Sequence, residues 1–259
     1  MQDLEGKVIL VTGAGSGIGR AIALGFAAQK SRVALTGRTQ ATLDGVAEEI
    51  RHTGVEALPR ICDVTQKAQV EKLKQEISNR FGPVQVLVNN AGIAPAASFL
   101  EMQDSLWEEV MRVNLTGTYN CCKVFLPEML ALRWGRIINI ASTVAKVAYS
   151  HISAYVTSKH AVLGLTRALA LETAKFGVTV NAVCPGYVDT ALTRRNALLM
   201  AEKRNKPLDD SLEILVSTSP QKRLIEPDEV APLALVLASE SARGITGQAI
   251  NIDGGAVMV

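Results

Sequence analysis

Short runs dense in β-branched and aliphatic residues alternate along the chain with longer stretches of helical periodicity. KVILVT (7–12), RVALTG (32–37), EALPRI (56–61), VQVLVN (84–89), GRIINI (135–140), TVNAVC (179–184) and QAINI (248–252) read as seven strands. Most are nearly unbroken in apolar character, the pattern of parallel strands covered on both faces. Helical patterns fall near 18–30, 40–52, 66–81, 104–131, 154–176 and 227–239. Strict alternation of strand and helix predicts an α/β fold, a doubly wound, mostly parallel seven-stranded sheet with helices on both faces. No linker or change of composition divides the chain, so residues 1–259 are expected to form a single domain. Residues 190–222 break the rhythm: they are helical but charged, with TRRN and AEKRNKPLDD. They read either as a solvated excursion or as a mobile lid, because ligands of such sheets bind beyond the carboxyl ends of the strands.

Composition narrows the class. Hydrophobic residues make up 48% of the 259 and charged ones 20%, enough for a large core. With 27 basic and 25 acidic residues the net charge is +2, and no sustained basic patch points to nucleic acid. Cys62, Cys121, Cys122 and Cys184 lack paired metal-ligand spacing, so no metal site is expected and reduced thiols in a cytoplasmic protein are the plain reading. The start, MQDLEGKVILVTG, lacks the features of a signal peptide, and no apolar run reaches the roughly 18 residues of a membrane span.

VTGAGSGIGR joins the first strand to the first helix and carries glycines at 13, 17 and 19. Their spacing is T-G-x-x-x-G-x-G rather than G-x-G-x-x-G. The physical demand is the same: a tight turn, close approach of backbone to a pyrophosphate, and helix-terminal N–H groups aimed at the anion. The place of the turn, between first strand and first helix, strengthens a Rossmann-like dinucleotide reading over a ligand-free turn. At the end of the second strand, LTGRT lacks the carboxylate that would bind the adenosine ribose hydroxyls of NAD. Gly37 leaves room and Arg38 offers a planar fork to a 2′-phosphate, which favours NADP(H), with NAD(H) as the other possibility.

SAYVTSKHA (153–161) sets Tyr155 and Lys159 one helical turn apart. The pair is either a solvated face or a phenol tuned by an ammonium. Bringing tyrosine from about 10 to about 7 requires roughly 4 kcal/mol, which one charge about 4 Å away at an effective dielectric of about 20 supplies. Lys159 alone is therefore expected to lower the phenol into the working range.

TGAGSGIG, NNAG (89–92), Y-V-T-S-K (155–159) and CPGYVDT (184–190), in this order and spacing, resemble the short-chain dehydrogenase/reductase family over essentially the whole chain. Within it the chain is most similar to ketoreductases acting on 3-oxoacyl chains. The resemblance implies a catalytic set of Asn114, Ser142, Tyr155 and Lys159, with Tyr155 as proton donor and Ser142 bonding the carbonyl oxygen. Lys159 would tune the phenol and reach the nicotinamide ribose, and Asn114 would hold a water beside it. Cofactor contacts would come from Gly13, Ser16, Gly17, Ile18 and Gly19; from Arg38, Asp63 and Val64; from Asn90, Ala91 and Gly92; and from Pro185, Gly186, Val188 and Thr190. Asp63 and Asn114 also suit caps or turns, and Ser142 an ordinary post-strand position.

The reaction so implied is NADPH-dependent reduction of a ketone to a secondary alcohol. Oxidation of an alcohol or hydroxy acid, or a silent dinucleotide-binding module, stand as alternatives. CPGYVDTALT is also similar to D-3-hydroxybutyrate dehydrogenases, which hold a small carboxylate with polar residues. The matching positions here, Ala94, Val144 and Ile152, are apolar, and an unpaired buried carboxylate is costly. A neutral ketone or 3-oxoacyl thioester is therefore preferred, with Tyr149 and Tyr187 completing the pocket. Arg194, Arg195, Lys203 and Arg204 suit a phosphopantetheine or coenzyme A phosphate, or simply a solvated helix face. The resemblance further implies a homotetramer built on helices 104–131 and 154–176 and the last strand.

Overall fold

The computed structural model describes residues 2–259. Seven strands pair in the order β3-β2-β1-β4-β5-β6-β7, all parallel: β1 (Val8–Thr12), β2 (Arg32–Gly37), β3 (Ala57–Ile61), β4 (Val86–Asn89), β5 (Gly135–Ile140), β6 (Val178–Pro185) and β7 (Ala249–Ile252). Strand order reverses between β1 and β4, so a crevice opens at their carboxyl ends. Strand pleating sorts the core into two layers. Ile9 and Val11 of β1 pack with α1 (Gly17–Ala28), α2 (Gln40–Arg51) and, further along the chain, the helix Pro227–Ala238; Val8 and Leu10 face α3 (Lys67–Phe81) and the helix after β4.

Two stretches differ from the sequence reading. The expected helix 104–131 is α4 (Asp104–Met111), a π-helical turn (Arg112–Thr116) and α5 (Gly117–Leu132). The π turn carries Asn114, whose buried amide is bound outside its own helix, and such bulges favour functional positions. Helix α6 (Ser153–Thr173) then ends in a 3₁₀ turn, Ala174–Phe176. The charged excursion is two helices, α7 (Ala191–Arg204) and α8 (Leu208–Ser217), packed on each other ahead of α9 (Pro227–Ala238). Helix α7 buries only Ala197 and Ala201, so little core fixes it.

Candidate active site

The carboxyl edge of the sheet opens into a cleft of about 1190 Å³. Its floor is the turn after β1. Gly13 and Gly17 have φ of +63° and +53°, left-handed values that favour glycine. Asn90, just past β4, holds this turn: its Nδ2 donates to Thr12 O (3.0 Å) and Gly13 O (3.1 Å). The Thr12 hydroxyl in turn accepts from the N–H groups of Asn90 and Ala91, each at 3.0 Å. Gly19 does not line the cleft. A Cβ there would overlap Gly13 O and lie 2.5 Å from Asn90 Nδ2, so its role is to let α1 start directly beneath the turn. Ser16, exposed at the N-cap of α1, makes no side-chain cap bond and faces the cleft with Gly17 and Ile18. An anion resting there meets the amino end of a helix.

Gly37, Arg38, Asp63 and Val64 form the next stretch of wall. Arg38 is exposed and makes no hydrogen bond or ion pair among the described residues, so its guanidinium is free for a ligand. Asp63 Oδ1 accepts from Thr65 N at 2.9 Å, an Asx turn that aims the loop after β3. Asn120 fixes the same loop by donating to Val64 O at 2.9 Å.

The hydroxyl groups stand farther along. Ser142, two residues past β5, accepts from Val144 N (3.3 Å) and donates to Pro185 O (3.5 Å), which joins the ends of β5 and β6. Tyr155 and Lys159 project from the first turns of α6, and both line the cleft with Ser142. Burial pushes the Tyr155 phenol up to about 12, against the opposing effect of its hydrogen bond with Ser142. Burial likewise pulls Lys159 down to about 8, with no carboxylate to hold its charge. Its Nζ lies 5.7 Å from the Tyr155 ring centroid and donates to Ile140 O at 2.7 Å.

The expected downward tuning of Tyr155 by Lys159 is therefore absent in the chain by itself. The ammonium stands farther off than the 4 Å assumed, and loss of hydration, ignored in that sum, is the larger effect. The neutral phenol that results is a proton donor held beside a hydroxyl.

Asn114 is buried behind this set and does not line the cleft. Its Oδ1 accepts from Ile93 N (2.8 Å) and its Nδ2 donates to Ile93 O (2.9 Å) and Ser158 Oγ (3.0 Å). The amide thus clamps the loop after β4 to α6 and holds it beside Lys159. Gly92 fits between them, since a Cβ there would lie 3.2 Å from Asn114 Oδ1.

Ala94, Val144, Tyr149, Ile152 and Tyr187 all line the cleft, as do Asn90, Ala91, Gly92, Pro185, Gly186, Val188 and Thr190. Thr190 also caps α7, accepting from Thr193 N at 3.2 Å. Sequence reasoning missed Asn196, Leu199 and Met200 of α7; Asn196 Nδ2 reaches across to Ala94 O at 2.9 Å. Their spacing of three to four residues was the available signal. It also missed His151, at φ +65°, whose carbonyl accepts from Ala97 N at 2.8 Å and ties the two loops of the mouth together.

The sequence model of the family described as short chain dehydrogenase matches residues 7–198. A D-beta-hydroxybutyrate dehydrogenase of Cupriavidus necator is 38% identical, over 97% of this chain and 98% of its own. A putative ketoacyl reductase of Streptomyces coelicolor is 39% identical, over 98% of each. The solved structure of a point variant of actinorhodin polyketide ketoreductase with NADPH superposes with a TM-score of 0.94, at 39% identity and covering 99% of both chains. With its glycine turn, its Asn–Ser–Tyr–Lys set and relatives matched end to end, the chain belongs to the short-chain dehydrogenase family.

Proposed function

We propose that the protein is an NADPH-dependent oxidoreductase that reduces a ketone, either a hydrophobic neutral ketone or a 3-oxoacyl thioester, to a secondary alcohol. The observation that carries this is the convergence of Ser142, Tyr155 and Lys159 with the Gly13–Gly17 turn in one cleft at the carboxyl edge of the sheet. NADPH fits the residues present. The turn leaves backbone N–H groups bare for a pyrophosphate, and Arg38 is unpartnered where a 2′-phosphate would arrive. Bound there, it supplies the hydride.

The chain's own residues do the rest. Ser142 donates a hydrogen bond to the carbonyl oxygen as negative charge develops, and Tyr155 delivers the proton to it. A phenol held neutral by burial is in the protonation state that reduction needs, and the reverse reaction must first ionise it. Lys159, once its charge is nearer the reacting oxygen than bulk water is, favours the phenolate left behind.

Ala94, Val144 and Ile152 give the substrate end apolar walls, which favours a neutral acyl group over a free hydroxy acid. The polyketide ketoreductase and ketoacyl reductase among the relatives support the same choice. Tyr155→Phe tests the whole assignment: it keeps the ring and removes the proton. Turnover of an acetoacetyl thioester with NADPH should fall by about three orders of magnitude while cofactor binding stays. Reduction near the wild-type rate in that variant sinks the assignment.

Two further readings accompany this one. Tyr119 on α5 and Leu171 on α6 stand 47% and 85% exposed, apolar surface that a homotetramer would cover, and light scattering measures the mass directly. A cytoplasmic location is supported by four free, buried thiols, and no helix among the described residues is long and apolar enough to cross a membrane.

A further inference from the structure

Helix α7 contributes more wall to the cleft than hydride and proton transfer require. Leu192, Asn196, Leu199, Met200 and Lys203 recur at three- to four-residue spacing, so one face of the helix is turned inward. Its apolar members remain wet: Leu192 is 43% and Leu199 46% exposed. The face ends in two cations, Lys203 and Arg204, which line the cleft yet make no hydrogen bond or ion pair among the described residues. The neighbouring arginines are spoken for. Arg194 is bidentate on Asp189 at 2.7 and 2.6 Å, and Arg223 sits on Glu229. Arg195 is exposed and lies outside the cleft lining.

The geometry sets a length. Thr190, against Gly17, marks the nicotinamide end of α7, and Lys203 lies about 20 Å farther along the helix axis at 1.5 Å per residue. Between its thioester sulfur and its phosphate, a pantetheine arm has the backbone of four to five residues, about 16 Å extended. An apolar-sided track of that length, starting at the proton donor and ending in two unpaired cations, matches a chain with a reactive carbonyl at one end and a dianion at the other.

We propose that Lys203 and Arg204 form an anion subsite for the phosphate that ends a pantetheine arm, whether the arm belongs to coenzyme A or to a carrier protein. This rests on the thioester reading above, so its test includes a measurement that needs no turnover. Phosphopantetheine titrated calorimetrically should bind the Lys203→Ala/Arg204→Ala double variant about fivefold more weakly than the wild type, as two screened rim contacts predict. In kinetics, the ratio of kcat/KM for acetoacetyl-phosphopantetheine over acetoacetyl-N-acetylcysteamine should drop about fivefold in the variant. The same ratio should drop in the wild type as salt is raised.

An equal drop for coenzyme A and carrier-protein thioesters supports an arm-phosphate site common to both sources. A drop confined to the coenzyme A thioester overturns it, because the cations then read the nucleotide. Unchanged phosphopantetheine binding together with an unchanged ratio also overturns it. If no ketone or thioester is turned over with NADPH while phosphopantetheine binding is still weakened in the variant, the reductase reading alone fails.

Discussion

Replacing Lys159 with methionine should stabilise the cofactor-free protein while destroying its activity. The lysine is 6% exposed and has no carboxylate partner, and burial pulls it from 10.5 to about 8. That displacement corresponds to roughly 3 kcal/mol of unfavourable free energy carried by the folded state while the amine is charged. Between about pH 8 and about pH 10.5 the unfolded chain binds the extra proton, so stability rises with pH across this window and the penalty is fully present below it. Methionine matches the stem in length and flexibility and removes the charge. It also deletes the bond to Ile140 O, at a cost of about 1 kcal/mol. The net expectation is a gain of about 2 kcal/mol near neutral pH, shrinking toward zero near pH 10. Tyr155, raised to about 12, is present in both proteins and cancels from the difference. Urea midpoints at neutral and alkaline pH, with unchanged slopes and at one protein concentration, measure it. A variant no more stable than wild type at neutral pH, or equally stabilised at both, refutes the claim that this charge is held against its own hydration.

Other expectations follow from the same cleft. Reduction should be flat on the acid side and fall as pH rises through about 8, where Lys159 loses its proton while the phenol, at about 12, keeps its own; a profile still flat near pH 10 removes the lysine charge from the mechanism. Arg38→Ala should raise KM for NADPH by about tenfold and leave KM for NADH alone, since a charge-assisted fork to phosphate is lost; equal effects on both cofactors would detach Arg38 from the 2′-phosphate. Gly19→Ala should abolish dinucleotide binding and cost about 2 kcal/mol or more, because the new methyl overlaps Gly13 O. Gly45→Ala, on an exposed face of α2 with nothing within 4 Å, should instead stabilise by about 0.5–1 kcal/mol, and thermal unfolding of the pair separates collision from helix propensity.

The strands were legible because burial on both faces writes itself as unbroken apolar runs, and β2 and β5 fall on the residues the pattern predicts. The glycine turn was legible for a different reason: positive φ at Gly13 and Gly17 and the close approach at Gly19 are demands that only one residue type meets. The break in the helix 104–131 was not. Nothing in MRVNLTG departs from helical periodicity, and the π turn is held by bonds from Asn114 to Ile93 and Ser158, one in the loop after β4 and one on α6. A residue whose conformation is fixed by two other elements leaves no mark on its own neighbours in sequence.

The phenol shows the same limit in energetic form. Spacing along one helix gave the Tyr155–Lys159 pair and a Coulomb sum of the right size, but hydration is lost to whatever covers the pair, and the cover comes from elsewhere. Pro185, Ser142 and the loop after β4 arrive from three strand ends, and together they bury both groups. Burial moves the two groups in opposite directions, the acid up and the base down, toward the neutral form of each. The cleft is thus assembled with a proton on the phenol and a weakened hold on the lysine's charge. A negative charge appearing on the phenol as it donates is the event that restores that charge's favourable partner. On this account the lysine assists the product side of the proton transfer more than the resting acid, and for that reason its contribution belongs to turnover and is invisible in the resting phenol's affinity for its proton.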